Sequence, residues 1–235
     1  MTSLVNRRRP LNGSKDIVNL RSWVMFTSSS GETFREMWNR LPTEARLSLK
    51  AIFADRASAA EHVARQVAPD VPYYRVPKES FERTALDLLQ RPDMSQGMVL
   101  LCGFFGILSE NFLKKIPLPV VNTHPSLLPS FPGLEKRVHD EASHKVAISG
   151  FTVHLVIPQL DGGPILFQHP VWLDPRKTPE EHRLDVRRAE QTWLPVVWNF
   201  LLRSDLRKED ENLNSLELRK KIGIVSAGFE ERLAT

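Results

Sequence analysis

Residues 98–105 form an almost uninterrupted apolar run, Met-Val-Leu-Leu-Cys-Gly-Phe-Phe. A run without polar alternation suits a strand that is buried on both faces. Such strands belong to parallel sheets covered by helices, so the run limits the fold to an α/β class in which it is a central strand. The single cysteine, Cys102, lies within the run. It excludes an intramolecular disulfide, and we predict a buried structural thiol.

Shorter apolar runs on the N-terminal side alternate with helical patterns. Residues 23–26 and 49–54 predict strands, each followed by a turn and a helix. Asp55 is the predicted N-cap of the second of these helices. A third strand is predicted at 73–76, before an amphipathic helix at 81–89. Strand, turn and helix in this repeated order predict a doubly wound, mainly parallel sheet.

A stiff polar loop follows the next apolar segment. Residues 120–133 read Val-Val-Asn-Thr-His-Pro-Ser-Leu-Leu-Pro-Ser-Phe-Pro-Gly. The β-branched residues predict the end of a buried strand, and the prolines that follow fix φ and remove backbone donors. Asn122 and His124 are two residues apart, so a strand that continues through them puts both side chains on one face. The carboxyl ends of such strands are where α/β proteins carry their chemistry.

A second candidate loop lies between two strands predicted at 146–156 and 165–173, in antiparallel or mixed pairing. It places the carboxylate of Asp161 before two glycines. Glycine allows unusual φ values and a close approach of the backbone to a ligand. If the two loops meet, an amide, an imidazole and a carboxylate form a set suited to acyl transfer.

Both loops resemble those of the folate-dependent formyltransferases. The resemblance rests on residues 122–133 and on the pattern Gly-Phe-Thr-Val-His-x6-Asp-Gly-Gly-Pro-Ile over 150–165. It extends over roughly 98–202, and it is weaker over 23–76. Two such blocks together are far more specific than one short motif. The resemblance implies a Rossmann-like, mainly parallel twisted sheet with helices on both faces and mixed strands in the C-terminal half.

The resemblance also implies an activity: transfer of a formyl group from 10-formyltetrahydrofolate to a primary amine, without a metal. Glycinamide ribonucleotide is the first acceptor it suggests, and an amino sugar or a specialised-metabolite amine is the alternative. The implied catalytic residues are Asn122, His124 and Asp161, with His154 in support. The implied binding residues are Phe104, Phe105, Ile107, Leu108 and Leu160 for the folate, and Ser29, Ser30, Gly31, Thr33, Pro125 and Glu190 for the acceptor.

Two positions depart from the family pattern. The first turn is Gly-rich in the family and holds the acceptor's phosphate, whereas here it reads Ser-Ser-Ser-Gly-Glu. Glu32 adds a negative charge that opposes phosphate unless the side chain points away. Gly106 stands where the family commonly carries a basic residue, which removes one polar contact with the folate. The structural alternatives are that the segment 104–108 is core and that Glu190 only forms a surface salt bridge.

Composition limits the classes of binding partner and the cellular location that we expect. A net charge of +4 and a pI of 9.3 argue only weakly for anionic partners and do not point to nucleic acid. No apolar run reaches the ~20 residues needed to span a membrane. The Arg-rich start lacks the apolar segment of a secretory signal. We therefore expect a cytoplasmic protein that binds a small-molecule amine and a reduced folate, and the oligomeric state stays open.

The chain divides into three predicted parts. These are a flexible N-terminal arm at 1–20, a formyltransferase catalytic domain at 21–203 and a charged C-terminal extension at 204–235. Thr178-Pro-Glu-Glu predicts the start of the last helix of the domain. Two other functions stay open: hydrolysis of 10-formyltetrahydrofolate, and folate binding without catalysis. For a hydrolase we expect a further N-terminal regulatory domain, and the retained catalytic set opposes a silent homologue.

Overall fold

The computed structural model describes residues 20–133 and 135–224. The predicted N-terminal arm lies outside the described residues except for its last residue, as does the end of the C-terminal extension. The strands are β1 (Trp23–Thr27), β2 (Leu49–Ala54), β3 (Tyr73–Arg75), β4 (Met98–Leu101), β5 (Val120–His124), β6 (Ile148–Leu155) and β7 (Ile165–Trp172). The helices are α1 (Glu32–Arg40), α2 (Thr43–Leu47), α3 (Ala59–Val67), α4 (Lys78–Leu89), α5 (Glu110–Lys115), α6 (Glu135–Lys145), α7 (Pro179–Arg203) and α8 (Ser215–Ile222).

The strands form one sheet in the order β3-β2-β1-β4-β5-β6-β7. β1 to β5 are parallel, whereas β6 and β7 run antiparallel to their neighbours. The predicted α/β class, with a mainly parallel sheet and mixed C-terminal strands, is confirmed. From β1 the chain moves outward to β2 and β3 and then returns to β4 on the other side of β1. Connections that leave in opposite directions open a crevice between β1 and β4 at their carboxyl ends.

The central strands are buried throughout, as the apolar run at 98–105 predicted. Every residue of β1 and β4 is buried. β4 is shorter than the run, because the chain leaves the sheet after Leu101 and Gly103 adopts a φ of 60°. Cys102 is buried just beyond the strand. Burial, with a smaller effect from the charge of Glu190, raises the pKa of this thiol, which makes it a poor nucleophile.

Helices cover both faces of the sheet, as predicted. On one face α1, α3, α7 and α8 pack over a core in which Trp23 and Trp198 meet edge to face, with ring centroids 5.4 Å apart. On the other face α4 and α5 pack over Phe26, whose ring lies 5.0 Å from that of Phe81. Within the described residues, no helix is both long and apolar enough to cross a membrane.

The prediction that Asp55 caps a helix is wrong. α3 begins at Ala59 after Ser58, and the side chain of Ser58 makes no capping hydrogen bond. Asp55 instead accepts a hydrogen bond from Ser28 Oγ, at 2.6 Å, and pairs with Arg56. An aspartate after a strand suits a cap by pattern, but a buried hydroxyl just after the neighbouring strand and an adjacent guanidinium offer stronger partners.

The C-terminal part of the domain continues into the segment 204–224, which packs on the sheet. α7 begins as predicted, with reciprocal hydrogen bonds between Thr178 and Glu181. Beyond α7, Ser215 Oγ accepts a hydrogen bond of 2.8 Å from the backbone N–H of Ile165. Leu218 of α8 is fully buried in the core. The division of the chain into three parts stays a prediction, but this segment shares the core of the sheet.

Candidate active site

A cavity of about 570 Å³ opens at the carboxyl ends of β1, β4 and β5. Its walls come from the turn after β1, the loop at 103–108, the end of β5, the loop at 157–161 and α7. The sequence-predicted residues that line it are Ser29, Ser30, Thr33, Phe104, Phe105, Ile107, Leu108, Asn122, His124, Pro125, His154, Leu160, Asp161 and Glu190. Residues far apart in the chain therefore meet around one space, as the resemblance implied.

Gly31 is the predicted binding residue that does not line the cavity. It is the N-cap of α1 and adopts a φ of 80°. A Cβ atom built there would lie 2.8 Å from the Cα atom of Ala60. Two structural features therefore require glycine here without involving a ligand: the left-handed backbone, and the close packing of α1 against α3.

His124 lies at the meeting point of the two candidate loops. β5 continues to this residue, so Asn122 and His124 share one face of the strand, as predicted. The imidazole is 4% exposed, and its Nδ1 atom lies 3.5 Å from Oδ2 of Asp161. The carbonyl oxygen of Phe131, 2.8 Å from Nε2, can only accept, so Nε2 carries a hydrogen. Nδ1, facing the carboxylate, is therefore the nitrogen that can gain or lose a proton.

Asp161 is held by its backbone and by a hydrogen bond. Its φ is 50°, a left-handed conformation that aspartate tolerates better than most residues. Oδ2 accepts a 2.8 Å hydrogen bond from the N–H of Gly133, and Oδ1 lies 3.8 Å from Nε2 of His154. Neither of the two glycines that follow lines the cavity, and their role in a close approach to a ligand stays a prediction. A Cβ built at Gly163 would lie 1.8 Å from the carbonyl oxygen of Leu155, so this glycine lets the loop pass close to β6.

His154 orients the amide of Asn122. The antiparallel register of β5 and β6 places the two residues directly opposite each other. His154 Nδ1 donates to the carbonyl of Leu155 at 2.9 Å, so Nε2 is the atom that accepts from Asn122 Nδ2 at 3.2 Å. Burial lowers the pKa of His154, which favours this neutral form. Asn122 keeps its second Nδ2 hydrogen and its Oδ1 atom for a ligand in the cavity.

A polar clamp from β6 and β7 fixes the proline-rich loop that positions His124. Thr152 Oγ1 donates to the carbonyl of Ser126 at 2.6 Å and accepts from the N–H of Leu128 at 3.0 Å. Gln168 Nε2 donates to the carbonyl of Leu128 at 2.8 Å. Thr152 and Gln168 are cross-strand neighbours. The sequence analysis missed both, and the only signal was a polar residue within each of the two predicted strands, of which Thr152 is fully buried.

The apolar wall combines core and exposed surface. Phe104 belongs to the core, where its ring stacks on that of Phe81 at 5.2 Å. Ile107 is 79% exposed, and Phe105 and Leu160 are exposed with it at the rim of the cavity. The alternative that segment 104–108 is only core is therefore wrong for Phe105 and Ile107. Neighbouring exposed apolar side chains at the mouth of a cavity are typical of a ligand-binding surface.

The carboxylate of Glu32 lies beside Arg35 and is not part of the cavity wall. Its Oε1 atom lies 3.5 Å from the guanidinium of Arg35. The next residue, Thr33, does line the cavity and donates from Oγ1 to Glu190 Oε2 at 3.4 Å. Glu190 is therefore part of the wall, and the alternative of a surface salt bridge alone does not account for its position.

The sequence analysis also missed three nitrogen-bearing side chains on the cavity wall. They are His139 of α6 and Arg183 and Arg187 of α7. Arg183, Arg187 and Glu190 are spaced to share one face of α7, which is the signal that could have found them. Arg183 pairs with Glu180, and the pKa of Glu180 is lowered first by Arg183 and then by Arg187 and His139. Arg183, Arg187 and His139 therefore lie in one neighbourhood of the cavity wall.

The arrangement supplies three chemical functions on one wall: an amide donor, a proton acceptor that can become a donor, and a carboxylate beside it. These are the groups that acyl transfer to an amine requires, because negative charge develops on the acyl oxygen while a proton leaves the amine. In the part of the chain that the structure describes, no group of three or more His, Cys, Asp or Glu residues is placed to hold a metal ion.

Known proteins share both sequence and fold with this chain. The profile of the family described as formyl transferase matches residues 22–198. Phosphoribosylglycinamide formyltransferase of Bacillus subtilis is 26% identical over 196 residues, which cover 81% of this chain and 99% of the relative. The Mycobacterium tuberculosis protein of the same name is 32% identical over 156 residues, covering 63% and 69%. The crystal structure of phosphoribosylglycinamide formyltransferase from Anaplasma phagocytophilum matches with a TM-score of 0.68 at 25% identity, over 78% of this chain and 87% of that chain.

Proposed function

The chain belongs to the formyl transferase family, and from this premise we propose that it transfers the formyl group of 10-formyltetrahydrofolate to the amine of glycinamide ribonucleotide, a step of purine biosynthesis. The observation that carries the proposal is the 3.5 Å approach of His124 and Asp161 beside Asn122 on the wall of one cavity. A cavity of about 570 Å³ lies within the usual range for sites that enclose small ligands.

The proposed reaction forms a bond between the amine nitrogen and the formyl carbon, and breaks the bond between that carbon and N10 of the folate. As the amine attacks, the formyl oxygen becomes negative and accepts a hydrogen bond from Nδ2 of Asn122. His124 takes the proton that the amine loses and gives it to N10 as that nitrogen leaves. Asp161 stabilises the imidazolium formed between the two transfers. One proton leaves the amine and one arrives at N10, so the reaction balances.

At one end of the cavity, the apolar wall supports binding of the pterin ring of the folate. We propose that Phe104, Phe105, Ile107, Leu108 and Leu160 enclose the reduced folate, with the exposed rim side chains covering it on binding. Burial of that rim by a flat ring system removes apolar surface from water, which favours binding. Gly106 adds no side chain there, so backbone groups and apolar contact supply the recognition at this position.

At the acceptor end, the charges support an anionic amine. We propose that Ser29, Ser30, Thr33, Pro125 and Glu190 contact the acceptor, as the resemblance implies. Arg183 and Arg187 add positive charge to the same wall. Glu32 is turned to Arg35, so the departure in the first turn is compatible with a phosphate. We further propose that the enzyme acts in the cytoplasm.

Arginine substitutions on α7 test the acceptor end. Arg187→Ala and Arg183→Ala are each expected to raise the KM for glycinamide ribonucleotide by about tenfold or more, since a charge-assisted hydrogen bond is lost. The KM for the folate should change less than about twofold. The matched control is Arg188→Ala, because Arg188 lies on the same helix, is 72% exposed and pairs with Asp185 away from the cavity. An equal rise in KM for the control would contradict the assignment.

An amine panel tests the function itself. The protein is mixed with 10-formyltetrahydrofolate and, in separate reactions, with glycinamide ribonucleotide, an amino sugar phosphate or buffer alone, and loss of the formyl group is followed. Loss that depends on glycinamide ribonucleotide supports the proposal. Loss in buffer alone indicates the hydrolase, loss only with the amino sugar indicates the alternative acceptor, and folate binding without loss indicates a silent homologue. Each of the last three outcomes would overturn the proposal.

A further inference from the structure

Ser28, the first residue of the turn after β1, lies behind the cavity wall and connects two of its parts. It is buried and does not line the cavity. Its backbone N–H donates to the carbonyl of Gly103 at 2.9 Å, and its Oγ atom accepts from the N–H of Phe105 at 3.3 Å. One residue of the first turn therefore makes two hydrogen bonds to the loop that forms the apolar wall.

Asp55 and Arg56 fix the direction of the Ser28 hydroxyl. The hydroxyl hydrogen is donated to Asp55 Oδ1 at 2.6 Å, and because a hydroxyl has only one hydrogen, its lone pairs are left for the N–H of Phe105. The Asp55 side chain is 3% exposed and receives two hydrogen bonds from Arg56, at 3.0 and 2.7 Å. Burial raises the pKa of Asp55, but the hydrogen bonds from Arg56 and Ser28 outweigh it and the net pKa is lowered. The carboxylate thus stays ionised.

The loop that Ser28 holds has an exposed apolar tip between two anchored ends. At its start, a Cβ built on Gly103 would lie 2.2 Å from Ser29 Oγ, so the loop and the first turn are in close contact. At its far end, both the N–H and the hydroxyl of Ser109 donate to the carboxylate of Glu82 at 2.6 Å. Ile107 projects between these anchors. The position of the tip therefore depends on the anchor at each end.

We propose that Ser28 is a positioning residue for the folate, held in register by the buried Asp55–Arg56 pair. Loss of the hydrogen bonds that connect Ser28, Asp55 and Arg56 loosens residues 103–108. It weakens binding of the pterin ring without changing the chemical step. The inference rests on the proposed function, because it takes Phe105 and its neighbours as the pterin wall. The ligand class is a reduced folate, and the stable compound 5-formyltetrahydrofolate serves as the probe.

Ser28→Ala and Asp55→Ala are expected to raise the dissociation constant for 5-formyltetrahydrofolate by about five- to tenfold, the range for one lost hydrogen bond. With saturating 10-formyltetrahydrofolate, kcat should stay within about twofold of the wild-type value. The backbone amide of Phe105 should exchange with solvent faster in both variants, which is measured without any ligand. Asp55→Asn keeps an oxygen that can accept from the Ser28 hydroxyl. Its increase in the dissociation constant should therefore be less than half of that for Asp55→Ala on a logarithmic scale.

Asp210→Asn is the matched control for a purely structural effect. Asp210 is also a buried carboxylate, but it binds Lys221 of α8 and does not line the cavity. A comparable loss of folate affinity in the control, or unchanged exchange of the Phe105 amide in Ser28→Ala, would overturn the proposal. If the wild-type protein binds folate but transfers formyl to no amine, the proposed function fails, whereas the binding and exchange measurements still decide the role of Ser28.

Discussion

Replacing His124 with alanine is expected to lower kcat by about two to four orders of magnitude, the usual contribution of a positioned acid or base. The dissociation constant for the folate should change only a few fold, because the imidazole is held by the Phe131 carbonyl and faces Asp161. In the proposed site, binding of the folate instead depends on the apolar wall. Steady-state kinetics at saturating amine, with a direct binding measurement for 5-formyltetrahydrofolate, separate the two effects.

A second histidine substitution controls for general damage. His144→Ala removes an exposed imidazole at the end of α6, whose Nδ1 atom hydrogen-bonds the backbone carbonyl of Asp140 one turn earlier in the helix. Its kcat should match the wild-type value, and the thermal unfolding of both variants should be compared. If His124→Ala keeps its turnover, the imidazole has no part in proton transfer and the proposed mechanism is wrong.

The central part of the fold was predictable because its signals are local. The first half of the apolar run, Met98–Leu101, forms β4, which is buried on both faces at the centre of the sheet. The end of the strand was not predictable in the same way. The residues after Leu101 are as apolar as those before it, and the chain leaves the sheet because of the turn at Gly103 and its packing on Ser29. Apolar character alone does not distinguish a strand from the wall of a cavity.

The candidate site was predictable where a sequence motif also has the two-residue period of a strand. Two-residue spacing placed Asn122 and His124 on one face, and the second loop supplied Asp161. What the sequence could not provide is long-range pairing. Thr152 and Gln168 act on the proline-rich loop only because β6 and β7 fold back beside β5. Asp55 was assigned to the wrong partner for the same reason, since its hydrogen-bond donor, Ser28, follows the neighbouring strand β1.

Charged helices hid several side chains that face the cavity or the core. Arg183 and Arg187 are two of the four arginines of α7, and only their helical spacing with Glu190 distinguishes them from Arg188 and Arg203. The charged segment after 203 was expected to be an extension, yet Leu218 and Ile222 pack in the core. In both cases the spacing of a few residues along a charged helix indicates which side chains face inward. The charged composition of the helix, taken alone, suggests exposure instead.

Replacing Asp161 with asparagine is expected to lower kcat by about two to four orders of magnitude, because the carboxylate that stabilises the imidazolium is lost. Asparagine has the same shape and tolerates the left-handed backbone at a φ of 50°. Its oxygen can still accept the hydrogen bond from the N–H of Gly133. The variant therefore changes the charge facing His124 while keeping the loop in place, which thermal unfolding checks.

A double variant tests whether Asp161 acts through His124. If the carboxylate works only by stabilising the imidazolium, Asp161→Asn should cost little further activity once His124 has been replaced by alanine, because groups that act as a unit are strongly non-additive. Asp185→Asn, which removes a carboxylate paired with Lys177 and Arg188, is the control and should leave kcat near the wild-type value. Independent losses that multiply in the double variant would show that Asp161 stabilises the substrate or its transition state by another route.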